Sequence, residues 1–139
     1  MFTQSERHFG VWLISMLAIA FGLLSIKAGG TALFGSEADR QAVGAYVPFV
    51  LWFNFLAGFA YVIAGAAIWM RARSARWLAV SIAVATALVF VAFGAHVFMG
   101  GSFEPRTAAA MGLRTLIWAA IAAVTWRAAR CNVARVVTA

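Results

Sequence analysis

The chain has 139 residues, of which 65% are apolar and 11% are charged, and its net charge is +7. A soluble domain carries about 25% charged residues, so this composition excludes a water-soluble globular protein. The basic excess does not indicate nucleic-acid binding, because the arginines lie at the ends of apolar runs, as in membrane-protein loops. The single cysteine, Cys131, excludes an internal disulfide and a cysteine-based metal site.

Four apolar stretches are long enough to cross a bilayer, which takes about 20 residues in a helix. They run over residues 9–27, 46–70, 77–99 and 107–126. The first stretch is of full length, which argues against a cleavable signal, and none shows the alternation of a barrel strand. The sequence therefore predicts an all-α fold, a single domain over residues 1–139 that forms a bundle of four transmembrane helices in contact with the lipid bilayer.

The distribution of charge predicts the orientation of this bundle. Two segments carry arginines and no acid: Arg71, Arg73 and Arg76 between the second and third helices, and Arg127, Arg130 and Arg135 in the tail. Basic segments stay in the cytoplasm, and tryptophans gather at the membrane interface. The ends of helices on that same side carry Trp12, Trp69, Trp77 and Trp126. We therefore expect a bacterial inner-membrane protein with both termini in the cytoplasm.

The two halves of the chain also resemble each other weakly. Phe21-Gly22 is followed by Gly29-Gly30, and Phe93-Gly94 is followed by Gly100-Gly101. This echo suggests two parallel helix-hairpin repeats. The alternative is that Gly-Gly pairs simply end helices, and the segment over residues 29–45 is then either a disordered link or a short interfacial helix.

Arg114 is the most unusual residue within a span, since a central arginine costs roughly 2.5–3.5 kcal/mol on insertion scales. It belongs to a helical stripe of Thr107, Met111, Arg114 and Trp118. One interpretation is a cation that faces a cavity in the bundle and binds an anionic headgroup, a quinone oxygen or a carboxylate. The other is a side chain that snorkels outward or pairs with Glu104 or Asp39.

A second stripe lies on the second helix and comprises Asn54, Gly58, Tyr61 and Gly65. Small residues allow close approach of another helix, and an amide can hydrogen-bond across that contact. The alternative is that the glycines open space for a flat ligand, which Asn54 and the Tyr61 hydroxyl hold.

His96, near the end of the third helix, has Met99 on the same face, and Met111 or Glu104 would complete a set of ligands that copper accepts. No methionine cluster supports this set. Haem with two histidines is disfavoured, because His8 is expected at the opposite surface. We expect neither copper nor haem, and a structural or proton-carrying role for His96.

The polar residues share the half of the membrane that faces away from the basic segments. The predicted ligand-binding residues are Lys27, Asn54, Tyr61, His96, Glu104, Met111 and Arg114. Within the spans the sequence shows no phosphate-binding loop, no nucleophile–base grouping and no carboxylate pair, so an enzyme is not expected.

The pattern resembles the DoxX-like group of small bacterial four-helix membrane proteins. The resemblance rests on Lys27-Ala28-Gly29-Gly30, on the segment from Asn54 to Gly58 with Gly65, on the basic turn over residues 71–76 and on His96. It covers residues 22–101 and implies association with membrane redox systems or quinone chemistry. Asn54 stands where that group commonly has an acid, which argues against a proton-coupled role there.

Three functions remain open from the sequence. The first is a non-catalytic accessory or ligand-binding membrane protein that holds a lipid or a quinone-like molecule. The second is a small transporter or channel that works as a homo-oligomer and uses His96 and Arg114. The third is a subunit of a membrane redox system or of another membrane complex.

Overall fold

The computed structural model describes the backbone of residues 4–137 and the side chains of residues 9–130. Over this part of the chain the fold is all-α, with helices α1 (Gln4–Phe34), α2 (Glu37–Val43), α3 (Pro48–Trp69), α4 (Ala75–Phe98) and α5 (Pro105–Val137). The His8 and Cys131 side chains, for which the sequence raised questions, lie outside the described residues.

Four of the five helices contain segments that are long and apolar enough to cross a membrane: Phe9–Phe34, Pro48–Trp69, Ala75–Phe98 and Pro105–Arg130. Large aliphatic side chains on these segments point away from the protein, as Leu24 (64% exposed), Leu88 (65%) and Leu116 (71%) illustrate. An apolar surface of this extent is typical of helices that face lipid. The prediction of an all-α bundle with four transmembrane helices is confirmed.

The first helix is longer than predicted. We expected it to end near Lys27, at the Gly29-Gly30 pair, but α1 continues to Phe34. Gly29 does not end the helix because it has a packing role, since a Cβ there would lie 2.8 Å from the Phe55 Cβ. Lys27 is exposed on the surface of the continuing helix.

The segment that follows is neither disordered nor entirely irregular. The short helix α2 begins after Ser36, whose hydroxyl accepts a hydrogen bond from the Asp39 backbone while the Asp39 carboxylate accepts one from the Ser36 backbone. This reciprocal pair is a capping box. No residue of α2 is buried, so the helix lies on the surface.

The four long helices form two hairpins. Helix α1 packs most extensively against α3, α4 packs against α5, and α3 joins the hairpins through its contact with α4. Few or no close backbone contacts form between α1 and α5. The backbones of these two helices therefore leave a gap, which only long side chains can bridge.

One end of the bundle carries the α3–α4 turn and residues 126–130 of α5, and we call it the basic end. We call the other end of the bundle the opposite end.

Glycine allows the close contact between α1 and α3. A Cβ on Gly22 would lie 2.7 Å from the Gly58 carbonyl oxygen, and one on Gly58 would lie 2.9 Å from the Gly22 carbonyl oxygen. Gly65 is similarly confined, since its Cβ would lie 2.7 Å from Ile19 Cγ1. Small residues bring membrane helices together in this way because dispersion, rather than a hydrophobic effect, drives their association.

The residues that suggested an internal repeat have different environments in the two halves. Gly22 is buried against α3, whereas a Cβ added to Gly94 would have no neighbouring atom within 4 Å. Gly29 and Gly30 lie inside α1, whereas Gly100 lies in the α4–α5 turn with a φ of 85°. The echo in the sequence thus does not correspond to equivalent packing.

The close packing of Gly58 and the open surroundings of Gly94 predict different effects of alanine on the free energy of unfolding. Gly58→Ala should destabilise the protein by about 1–3 kcal/mol, since the methyl group overpacks a backbone contact. Gly94→Ala, in open space on α4, should be neutral or stabilising, because alanine favours a helix by up to about 1 kcal/mol. Thermal unfolding in detergent, followed by circular dichroism, measures both. Equal effects of the two substitutions would contradict the described packing.

Candidate ligand site between helices 1 and 5

Three aromatic side chains form a layer across the middle of the bundle. Tyr61 of α3 is fully buried and stacks on Phe21 of α1, with the ring centroids 6.1 Å apart. On its other side Tyr61 meets Trp118 of α5, with a centroid distance of 4.8 Å. Trp118 is also fully buried. This layer fills the bundle interior at mid-depth and joins the two hairpins.

Arg114 extends from α5 across the gap towards α1. Its Nη2 atom donates a hydrogen bond to the Ser25 hydroxyl over 3.3 Å, and its guanidinium carbon lies 5.5 Å from the centroid of the Phe21 ring. We call this region the α1–α5 seam and define it by Phe21 and Ser25 on α1 and by Arg114 and Trp118 on α5, with Tyr61 behind them.

The polar groups around the seam are incompletely satisfied. Among the described residues no hydrogen-bond partner is found for Arg114 Nε, the Tyr61 hydroxyl, the Thr86 hydroxyl or Trp118 Nε1, all of them buried atoms. The Tyr61 and Thr86 hydroxyls are close enough to interact, although they are not in the geometry of a hydrogen bond. Buried polar groups normally have partners, so this concentration of unpaired atoms marks the seam as unusual.

Other hydroxyl groups in the spans show the ordinary arrangement. Ser15 donates to the Val11 carbonyl over 2.8 Å, and Thr125 donates to the Ile121 carbonyl over 2.9 Å. Such bonds one turn back along a helix satisfy serine and threonine within a membrane. The Thr86 hydroxyl could donate to a carbonyl one turn back along α4 in the same way, but it does not.

The ion pairs that the sequence suggested for Arg114 are wrong. The Glu104 carboxylate accepts a hydrogen bond from the Ala45 backbone over 3.2 Å, and the Asp39 carboxylate accepts one from Ser36. Within residues 9–130 no carboxylate pairs with Arg114. Its guanidinium also points into the bundle rather than outward, so the inward-facing interpretation describes its position.

The glycines of the Asn54 stripe do not provide space for a ligand. Gly58 and Gly65 pack directly against α1, as the helix-contact interpretation expected, and the flat-ligand alternative at those glycines is wrong. Asn54, near the opposite end of α3, has a buried Oδ1 atom without a hydrogen-bond partner among the described residues.

The structure separates the other predicted ligand-binding residues from the seam. Met111 is fully buried in an apolar cluster with Val50 and Phe93. Lys27 is exposed on α1. His96 lies at the opposite end, where its Nε2 is 3.3 Å from the Ser102 carbonyl oxygen and its ring is edge-on to Phe49. Of the predicted set, only Arg114 and Tyr61 meet at the seam.

Glu104 has a structural role that the sequence did not reveal. Its carboxylate lies against Gly44, which has a φ of 76°, and it accepts the hydrogen bond from Ala45. The α4–α5 loop is thereby tied to the α2–α3 loop. Nearby, the hydrogen bonds from Ser36 hold the pKa of the exposed Asp39 carboxyl below its usual value.

The sequence does not predict Ser25 and Phe21 at the seam, nor Thr86 beside Tyr61. Serine, threonine and phenylalanine are common in apolar spans, so nothing in their spacing distinguished them. Trp118 was found only because it shares a stripe with Arg114. The contact between Arg114 and Ser25 joins residues 89 positions apart in the chain, and no local pattern carries such information.

Comparisons of the chain with protein-family models, curated proteins and solved structures found no match. The resemblance to the DoxX-like group remains a prediction from the sequence.

The different surroundings of Asn54 and Ser25 predict different effects of removing them. Asn54→Leu should leave the unfolding temperature unchanged or raise it, because the substitution removes a buried acceptor that has no partner. Ser25→Ala should cost about 1–3 kcal/mol, because Arg114 loses its hydrogen bond. Thermal unfolding of the lipid-depleted protein tests both. A strongly destabilised Asn54→Leu variant would show that the amide satisfies a buried group.

Proposed function

We propose that this protein is a non-catalytic integral membrane protein, an accessory or ligand-binding component, that holds a lipid or a quinone-like molecule at the α1–α5 seam. In this proposal an oxygen atom of the ligand accepts hydrogen bonds from Arg114, and the ligand's apolar part lies in the bilayer beside the seam.

The position of Arg114 is the observation that supports this function best. The residue lies nine positions into α5, about 14 Å from the start of the helix at about 1.5 Å per residue. At this depth its guanidinium has one hydrogen bond among the described residues, to a neutral hydroxyl. A cation that is withdrawn from water and left without a counter-ion is costly. A bound anion or carbonyl oxygen would offset that cost.

The kind of unpaired group indicates the chemistry of the ligand. Arg114 Nε and Trp118 Nε1 are both hydrogen-bond donors and cannot accept, and the hydroxyls of Tyr61 and Thr86 can donate as well. Unpaired donors on and beside a cation suit a ligand with acceptor oxygens. Phosphate, carboxylate and quinone carbonyl groups all belong to this class.

The gap between α1 and α5 provides a route for such a ligand. The other neighbouring pairs, α1–α3, α3–α4 and α4–α5, make closer backbone contact, most extensively between α1 and α3. At the seam only side chains cross, and Arg114 is partly exposed. A molecule dissolved in the bilayer could therefore reach the guanidinium from the side without crossing an aqueous phase.

The composition of the seam supports binding rather than catalysis. Its described polar groups come from Ser25, Tyr61, Thr86, Trp118 and Arg114, and none of them is a carboxylate or a histidine, the groups that most often act as a general base. His96 has other neighbours, at the opposite end. The transporter alternative joined His96 with Arg114, and the geometry favours a ligand site that uses Arg114 without it.

We also propose that the protein resides in a bacterial inner membrane with its basic end in the cytoplasm. The arginines of the α3–α4 turn and of the end of α5 support this orientation. At the same end Trp12, Trp69 and Trp77 are each about half exposed, which is typical of an interfacial belt.

Loss of the Arg114 charge should release the bound molecule. Protein purified in mild detergent is extracted with organic solvent, and the extract is analysed by mass spectrometry for lipids and quinones. The wild type should retain a defined amphiphile near one equivalent, and Arg114→Met should lose it. Methionine keeps a long side chain at the seam, so folding should survive, and removal of a poorly paired buried charge should leave the unfolding temperature unchanged or higher.

The matched control is Arg106→Ala. This residue carries the same charge on the same helix but is exposed at its start, so the variant should retain the amphiphile. Equal retention by wild type and Arg114→Met would overturn the proposal. Ion flux in liposomes that depends on His96 would favour the transporter alternative, and a redox-active chromophore would favour the redox subunit.

The orientation is testable with Cys131, the chain's single cysteine. A membrane-impermeant maleimide should label it in inverted membrane vesicles and not in intact spheroplasts. The control is a double variant in which Cys131→Ser removes the cysteine of the tail and Ser102→Cys places one in the exposed α4–α5 loop. This variant should be labelled in intact spheroplasts and not in inverted vesicles. Labelling of Cys131 in intact spheroplasts would refute a cytoplasmic basic end.

A further inference from the structure

A groove runs between α4 and α5 at the basic end and begins about one helical turn beyond the seam residue Trp118. Its volume is about 380 Å³, and it is lined by Val80, Ala122, Ala123, Trp126, Arg127 and Arg130. Its lining surface is almost entirely apolar, so Arg127 and Arg130 contribute mainly the apolar parts of their side chains to it. Arg127 and Arg130 are both exposed.

A third arginine adjoins the groove. The Arg76 guanidinium carbon lies 5.7 Å from the centroid of the Trp77 ring and 5.8 Å from that of Trp126, and the two indole rings meet edge to face. Arg76 Nε is buried without a hydrogen-bond partner among the described residues. The two rings hold this cation at the wall of the groove, since Trp126 is also a lining residue.

We propose that this groove is a specific binding site for an anionic phospholipid of the leaflet at the basic end. Arg127 and Arg130 bind its headgroup phosphate, and Arg76 adds its positive charge beside them. An acyl chain occupies the apolar part of the groove, against Ala122 and Ala123.

The axial arrangement of the groove fits this occupant. Ala123 and Arg130 are seven residues apart on α5, which corresponds to about 10 Å at about 1.5 Å per residue. The apolar part thus lies at the depth of acyl chains while the arginines reach the depth of phosphates, next to the interfacial ring of Trp126. Basic pockets between transmembrane helices on the cytoplasmic side are suited to lipid headgroups.

Charge complementarity selects an anionic lipid over a zwitterionic one. Among the described side chains the acids are Glu37, Asp39 and Glu104, and all three lie at the opposite end. No described carboxylate therefore neutralises the arginines of the groove. This site is independent of the ligand proposed for the seam, because the two share no residue.

Native mass spectrometry of the full chain in detergent, titrated with phosphatidylglycerol or with phosphatidylcholine of the same acyl chains, tests the proposal. The wild type should bind one phosphatidylglycerol more tightly than further copies and more tightly than phosphatidylcholine. Arg127→Gln or Arg130→Gln should weaken that first binding about fivefold each, the effect of about 1 kcal/mol per basic residue near a membrane surface. Ala123→Phe, which fills the groove without changing the charge, should weaken it as well.

Arg73→Gln is the matched control, because Arg73 is exposed in the α3–α4 turn and does not line the groove. Its phosphatidylglycerol binding should equal that of the wild type. If Arg73→Gln weakens binding as much as Arg127→Gln, or if Ala123→Phe has no effect, the attraction is only that of a basic surface and the site is refuted. Displacement of the lipid by a soluble acidic peptide in wild type and Ala123→Phe alike would instead identify a protein-docking surface and overturn the proposal.

Discussion

The junction between α1 and α5 is organised around one partly buried cation. Arg114 crosses from α5 to the Ser25 hydroxyl of α1 and lies over the Phe21 ring. These contacts give it a place in the bundle but no counter-ion among the described residues. A buried charge with such limited compensation is retained at a cost to stability, and this cost is the basis for the ligand proposed at the seam.

The position of that cation depends on glycines in another interface. Gly22 and Gly58 allow α1 and α3 to approach until a single Cβ would collide. The tight hairpin holds Phe21 and Ser25 at the level of Tyr61, within reach of α5. The tightness on one side of α1 contrasts with the wider backbone separation on the side that faces α5, which the Arg114 side chain spans.

Charged residues have different roles at the two ends of the bundle. At the opposite end the acids are used within the protein: Asp39 caps α2, and Glu104 ties two loops together through Ala45. At the basic end Arg127 and Arg130 remain exposed beside an apolar groove. Charges that are satisfied internally contribute to the fold, whereas exposed charges at a membrane interface are available to lipid headgroups.

The sequence alone determined the four membrane spans and the presence of Arg114 within one of them, since a long apolar run is a local property that needs no partner. Only the tertiary structure decided the rest. It showed that α1 passes through Gly29-Gly30, because Phe55 of α3 packs there, and that Arg114 turns inward to meet Ser25 rather than Glu104 or Asp39. Contacts between residues this far apart in the chain depend on which helices become neighbours, and apolar helices of similar composition do not encode their neighbours in any short pattern.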